Sequence, residues 1–344
     1  MLQKNRLTWI LFILLIGLSI CSLFIGVIDI DIKDLWNFSD VTTMKLFFLS
    51  RIPRLLAILC TGMGMSMAGL IMQQLCMNKF VSPSTGATIS SAQFGILLSM
   101  VFFPTLGLWC RVSLAFMMAL LGTFIFVWVL QKIQFKNSVL VPLVGIMFGN
   151  VLGGITSFIA YKYEVTQQLS SYLVGSFSLI MKGNYELVWL VLPLGVIAYI
   201  YARYFNIVGM GKDFAQNLGV NYKWILCLGL GICAMISASI VSIVGQISYV
   251  GLIIPNIISI LKGNHIKGTL IDTALLGALF VLVCDIFART MMLPYELPIE
   301  FIVGMLGSLI FIGMLIYKLK HGHKKIQKGE RYEVKLTKKK AKYS

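Results

Sequence analysis

Long apolar stretches recur along this chain with short polar breaks between them. They fall near residues 7–28, 53–76, 86–103, 108–130, 139–160, 187–204, 224–246, 249–261, 270–290 and 298–317. A helix rises 1.5 Å per residue, so about 20 apolar residues cross a hydrocarbon layer of about 30 Å. The pattern therefore predicts about ten transmembrane helices. Two runs are unlike the rest. Residues 86–103 carry Ser90, Ser91, Gln93 and Ser99, which predicts a helix facing protein or a water-filled path. The run 249–261 has about 13 residues and is broken by Gly251 and Pro255. That predicts a bent or partial span held inside the bundle, where irregular backbone can be satisfied. At the N-terminus, Lys4 and Arg6 precede the run Leu7–Ile28, which ends without a small-x-small cleavage site. It is longer than the apolar core of a signal peptide, so a retained first span is expected.

Composition agrees with the pattern. Apolar residues make up 58% of the 344 and charged residues 12%, against about 25% charged in soluble domains. A surface so poor in charge needs lipid as its solvent. The expected class is all-α and polytopic, with 1–317 a transmembrane domain and 318–344 a basic cytoplasmic tail. Apart from the tail, the longest polar segments are roughly 29–50 and 205–223, too short to fold alone. Any enzyme or motor must come from another chain.

The net charge of +16 raises nucleic acid as a partner, but eleven of the 29 Lys and Arg lie beyond Tyr317. A basic run after an apolar segment reads as an anchor on anionic membrane lipid. No aromatic-interleaved basic face or zinc spacing points to nucleic acid. With ten spans and the N-terminus inside, Lys4, Arg6, Lys79, Lys132, Lys136, Arg203, Lys212, Lys223, Lys262, Lys267 and the tail are cytoplasmic. Lys33, Lys45, Arg51, Arg54, Arg111, Lys162, Lys182 and Arg289 then face outward, together with Asp29, Asp31, Asp34, Asp40, Glu164, Glu186, Glu296 and Glu300. The positive-inside rule prefers this to nine spans. The expected location is a cell membrane, with both termini cytoplasmic.

Catalytic chemistry is not expected. No GxxxxGK[ST] loop is present to cradle a nucleotide. His265, His321 and His323 read as solvated, and the seven cysteines are scattered without a CxxC pair. No cofactor or metal site is predicted. The eighteen methionines are dispersed and read as core filler.

Several short motifs remain. Arg51-Ile52-Pro53-Arg54 opens the second run, with proline suited to a first helical turn. Its arginines offer rigid forks for carboxylates; anchoring of a helix end at the interface is the competing reading. Then come Gly69-Leu70-Ile71-Met72-Gln73-Gln74, Asn78-Lys79-Phe80-Val81-Ser82-Pro83, Gly251-Leu252-Ile253-Ile254-Pro255-Asn256, Asp285-Ile286-Phe287-Ala288-Arg289 and Glu296-Leu297-Pro298-Ile299. Asp285 and Arg289 lie one helical turn apart, so an internal ion pair is expected as well.

In order and spacing these motifs resemble the FecCD-type permeases of ABC importers for ferric siderophores, haem and cobalamin, from about Arg51 to Tyr317. The Asn78–Pro83 version is similar to permeases for catecholate-type siderophores. The resemblance implies a type II importer permease fold. It also implies a second permease subunit, like or identical, two ATP-binding subunits, and an extracytoplasmic substrate-binding protein. By motif, Arg51, Arg54 and Arg289 would receive carboxylates of the binding protein. Asp213, Ala215, Gln216, Asn217, Leu218 and Gly219 would form the coupling segment against the ATPase. Asn78 and Phe80, with Ser138 in the next inner loop, would form the cytoplasmic gate. The chain departs from the family pattern at Asn256, where histidine is usual, at Glu300, where glycine is usual, and in its longer tail. An ion-coupled secondary transporter, a membrane scaffold or sensor, and haem or cobalamin as cargo are the competing readings.

Overall fold

A computed structural model describes residues 2–25, 47–132, 140–263, 266–293 and 295–316. Residues Met1–Gly304 form one compact unit and Met305–Ser344 a second. The tail 318–344, Ser138 and most of the 29–50 segment lie outside the described residues.

The described chain is helical. Its elements are α1 (Leu2–Phe24), α2 (Ile52–Leu75), α3 (Thr88–Phe102), α4 (Leu108–Lys132), α5 (Leu140–Lys162), α6 (Thr166–Leu173), α7 (Val191–Val208), α8 (Lys212–Asn217), α9 (Tyr222–Val244), α10 (Val250–Lys262) and α11 (Ile266–Thr290). A final helix, α12, covers Ile299–Ile316. Among the described residues, eight helices are long and apolar enough to cross a membrane; α3 and α10 are the two shorter apolar ones. Each predicted run thus has its helix.

The centre of the first unit is α2. Pro53 sits in its first turn, where no helical N–H is lost. Its small residues then let neighbouring backbones approach, the usual way helices associate where lipid removes the hydrophobic drive. A Cβ on Gly62 would lie 2.4 Å from the Gly277 carbonyl oxygen on α11, and one on Gly69 only 1.8 Å from that of Gly251 on α10. Backbone there meets backbone. The polar face of α3 is buried as expected: Ser91 and Ser99 are buried, and Thr88 shares a 2.7 Å hydrogen bond with Thr123 of α4.

The short α10 starts after a break. Gly245 (φ +88°) and Tyr249 (φ +67°) turn the chain between α9 and α10. The bared backbone pairs with the segment after α6: Gln246 N–H donates to Leu173 O at 2.8 Å, and Ser176 N–H to Val244 O at 2.9 Å. Non-helical backbone within a bundle survives only with such partners. Between the runs 139–160 and 187–204 the apolar pattern predicts no element. Its helix α6, of eight residues with the polar sequence TQQLSSYL, is too short and polar for an apolar-run search to find.

Candidate functional site

The chemistry gathers at the two ends of α2. At its first turn, α2 lies beside the last turn of the antiparallel α11, which brings Arg54, Asp285 and Arg289 together. Arg54 Nη2 is 2.9 Å from Asp285 Oδ1, and Arg289 Nη2 is 2.5 Å from Asp285 Oδ2. The second pair is the one-turn partnership expected from the sequence. Arg54 Nη1 also donates to Glu296 Oε2 at 2.7 Å, and that oxygen accepts Ser178 Oγ at 2.8 Å. Arg289 reaches into α1 as well, donating to Ser22 O at 3.1 Å and to Ile25 O at 2.8 Å; Arg51 donates to Ile25 O too. Five charged side chains thus fasten α1, α2, α11 and the loop around Ser178.

Burial differs across this cluster. Asp285 and Arg289 are almost wholly buried, at 1% and 2% exposure, whereas Arg51 and Arg54 are partly exposed. Among the described residues, Arg51, Arg54 and Arg289 share this cluster with the carboxylates of Asp285 and Glu296. Burial opposes ionisation of Glu296, but the Arg54 guanidinium, hydrogen bonds from Arg54 and Ser178, and the more distant Arg289 outweigh it. Its carboxyl is held below the usual range. Glu300, which replaces the usual glycine, clasps backbone: Gly175 N–H donates to Glu300 Oε2 at 3.3 Å, and Glu300 N–H to Gly175 O at 3.2 Å.

The opposite end of α2 is held by neutral groups. Asn78 is buried, and its Oδ1 accepts the Phe80 N–H at 2.9 Å, closing the turn that carries Phe80. Asn256, in the place of the family histidine, is 1% exposed and donates to Lys79 O and to Leu252 O, each at 2.7 Å. Gln73 donates to Leu252 O at 3.2 Å, and Lys79 Nζ to Ser259 Oγ at 2.9 Å. Asparagine at 256 therefore ties the Asn78–Pro83 loop to α10. A cavity of about 200 Å³ opens beside it, lined by Gln73, Asn78, Lys79, Pro255 and Ser259 among others.

The 205–223 loop contains α8. Gly211 (φ +110°) and Gly219 (φ +72°) bound it, and Val220 N–H caps its end by donating to Ala215 O at 2.9 Å. Positive φ at Gly219 is the usual helix stop. Ala215 is fully buried, while Asp213, Gln216, Asn217, Leu218 and Gly219 are exposed. Met210, Phe214 and Leu218 are exposed at 61%, 47% and 55%. Asn221 caps α9 next door by accepting the Trp224 N–H.

Residues 13–318 match the FecCD transport family. The chain belongs to that family. Membership makes it a multi-pass, non-enzymatic permease subunit of an ABC transporter, which works with ATPase and substrate-binding partners. The permease is 47% identical over 306 residues to the petrobactin import system permease protein YclN of Bacillus subtilis, covering 89% of this chain and 96% of that one. It is 36% identical to the ferric-anguibactin transport system permease protein FatD of Vibrio anguillarum, over 86% and 94% of the two chains. Among solved structures, one described as a metal-chelate type ABC transporter in an inward-facing conformation matches with a TM-score of 0.78. It is 25% identical, and the match covers 91% of the permease and 99% of that chain.

Sequence reasoning missed Asp272 and the partner of Gln93 in this permease. Asp272 is buried within α11, bonded to Lys262 of α10 and, at 2.6 Å, to Thr8 of α1. Gln93 Nε2 donates to Gln246 Oε1 at 2.6 Å, joining α3 to the break before α10. Polar residues inside apolar runs were the available signal, but Thr8 lies 264 positions from Asp272 and Gln246 lies 153 from Gln93.

Proposed function

We propose that this permease imports an iron–siderophore chelate, of catecholate type, at the expense of ATP hydrolysed on other chains. The observation that carries the reading is the 47% identity, over nearly the whole of both chains, to a petrobactin import permease. In this proposal two like or identical permease subunits enclose the path. Two ATP-binding subunits dock at the α8 end and a binding protein at the Arg51 end, with both termini cytoplasmic.

The two ends suit these roles. A binding-protein carboxylate approaching Arg51 and the exposed edge of Arg54 meets two guanidinium forks at the mouth of α2, while Arg289 braces them from within. At α8, buried Ala215 anchors a short helix whose Phe214 and Leu218 are bared to solvent, and a groove on an ATPase would cover them. Between the two, Asn78 and Phe80 sit on a loop fastened to α10, so tilting of α10 would carry the gate. Ser138 is the proposed third gate residue.

Uptake of a radioiron-labelled catecholate chelate by cells expressing the whole system tests the reading. ATP depletion with membrane potential preserved is expected to abolish uptake, whereas continued uptake would point to an ion-coupled carrier. Haem and cobalamin should not compete. Arg51→Glu is expected to lower uptake at least tenfold with normal protein levels; unaffected import would remove the docking role.

A further inference from the structure

On the loop around Ser178, a cavity of about 400 Å³ lies between the start of α4, the end of α6 and the end of α9. Its walls hold Arg111, Tyr172, Ser176, Asn184 and Ser242. Among the described residues Arg111 has no carboxylate partner, and its Nε is buried without a hydrogen-bond acceptor. The guanidinium carbon lies 4.6 Å from the centre of the Tyr172 ring, and the Tyr172 hydroxyl donates to Ser242 O. The ring is thus fixed from one side and supports the cation from the other. Ser242 Oγ is also buried with no partner. A preorganised guanidinium, an idle hydroxyl and an amide converge on one space.

The surroundings indicate what fills it. Among the described side chains of α4 the exposed positions are Trp109, Ser113, Met117, Leu121, Ile125, Trp128 and Lys132, one stripe at steps of four and three. The tryptophans are 19 residues apart, about 28 Å along a helix, which matches the hydrocarbon thickness. Tryptophan favours the level of the headgroups, and Lys132 lies over the Trp128 ring at that other end of the stripe. Trp109 therefore marks the interface, and Arg111 sits about 3 Å deeper, turned away from the stripe into the cavity. Leu106 and Leu179 line the cavity at 49% and 82% exposure, and Trp109, two residues before Arg111, is 70% exposed. A water-borne anion has no use for that apolar rim, whereas acyl chains do.

We propose that this cavity binds the phosphate of an anionic phospholipid, with Arg111 as its fork and the acyl chains laid along the α4 stripe. The full chain, purified in detergent, is titrated with phosphatidylglycerol brominated on its acyl chains. The signal is the tryptophan quenching that is lost in Trp109→Phe. Quenching is expected to saturate in the parent protein. Arg111→Gln should move the midpoint at least tenfold higher, while Lys132→Gln, an equal loss of charge outside the cavity, leaves it in place. Asn184→Ala, at an exposed position that does not threaten folding, should shift it severalfold, and Arg111→Lys should fall between parent and Arg111→Gln. Millimolar inorganic phosphate should not displace the lipid. Unshifted curves for Arg111→Gln and Asn184→Ala, an equal shift for Lys132→Gln, or full displacement by inorganic phosphate would each overturn the assignment to a phospholipid.

Discussion

The two ends of α2 are built from different materials. At the Arg51 end, Asp285 is shared by two guanidiniums inside the protein, and four separate segments meet on that cluster. At the Asn78 end, the contacts between the loop and α10 include amides, a hydroxyl and carbonyls, with Lys79 donating to Ser259. Among the described residues, the salt bridge at that end is Lys262–Asp272, which ties the last turn of α10 to α11. Neutral hydrogen bonds are worth about 1 kcal/mol net each and can be exchanged for others. Stripping one partner from a buried ion pair costs several times that, because the other charge is left uncompensated. The first end therefore behaves as a fixed frame on which a partner can press, and the second as a joint that can rearrange.

That contrast can be broken at its strongest point. Among the described residues, Asp285→Ala leaves Arg54 with only Glu296 and Arg289 with only neutral acceptors. The expected loss is about 3–5 kcal/mol, seen as a collapse of the thermal unfolding temperature in detergent. Adding Arg289→Met to Asp285→Ala should restore part of it. A loss below 1 kcal/mol for the single variant would mean that the frame is not electrostatic.

The next largest effect concerns the joint. Gly69→Ala places a methyl group 1.8 Å from the Gly251 carbonyl, so α2 and α10 must separate. A cost of about 1–3 kcal/mol is expected, with transport reduced at least tenfold at equal protein level. Gly154→Ala on α5, with nothing within 4 Å of the added carbon, is the matched control. It should be neutral or slightly stabilising, since alanine favours helix over glycine by about 1 kcal/mol. Smaller again is Asn256→Ala, which deprives Lys79 O and Leu252 O of a shared donor. About 1–2 kcal/mol is expected, and amide exchange at residues 78–83 should quicken while that near Arg54 does not.

The sequence carried the local half of this picture. Runs of apolar residues located the spanning helices to within a few residues, because lipid imposes one composition on a whole helix. The shortness of α10 was legible in the run 249–261, but the break lies at Gly245–Tyr249 and the helix runs on through Gly251 and Pro255; the Asp285–Arg289 pair was legible from its one-turn spacing. What stayed hidden was long-range. Arg54 reads as a free outward fork until α11 lies beside it, and Asp272 is unremarkable until Thr8 and Lys262 converge on it. Asn256 read as a departure that put packing in doubt, yet its amide supplies two hydrogen bonds that hold the loop. The 1.8 Å approach at Gly69 depends on Gly251, 182 residues later, and no periodicity within either segment announces it.

The finest distinction between frame and joint is the pH response of Glu296. Its folded carboxyl titrates below the ordinary value of 4.5, with Arg54 the largest favourable influence against the opposing effect of burial. A depressed folded value means that the stabilisation is fully present above the unfolded value and is lost as pH falls through the folded one. Between pH 7 and about 5, the Arg54–Glu296 contact should therefore contribute a constant amount. Below 4.5 the contribution should fade, and Glu296→Gln should remove this acid limb specifically. At neutral pH that variant should cost under about 1 kcal/mol, since solvent reaches the side chain and screens the pair. The contrast with Asp285 is the point of the measurement. Parent and Glu296→Gln unfolding temperatures should differ by a small, constant amount from pH 7 to 5 and converge below 4.5. A difference that instead grew as pH fell would mean that Glu296 binds its proton more tightly in the folded chain. Arg54 would then have Asp285 as its only working counterion, and the frame would reduce to α2 and α11 alone.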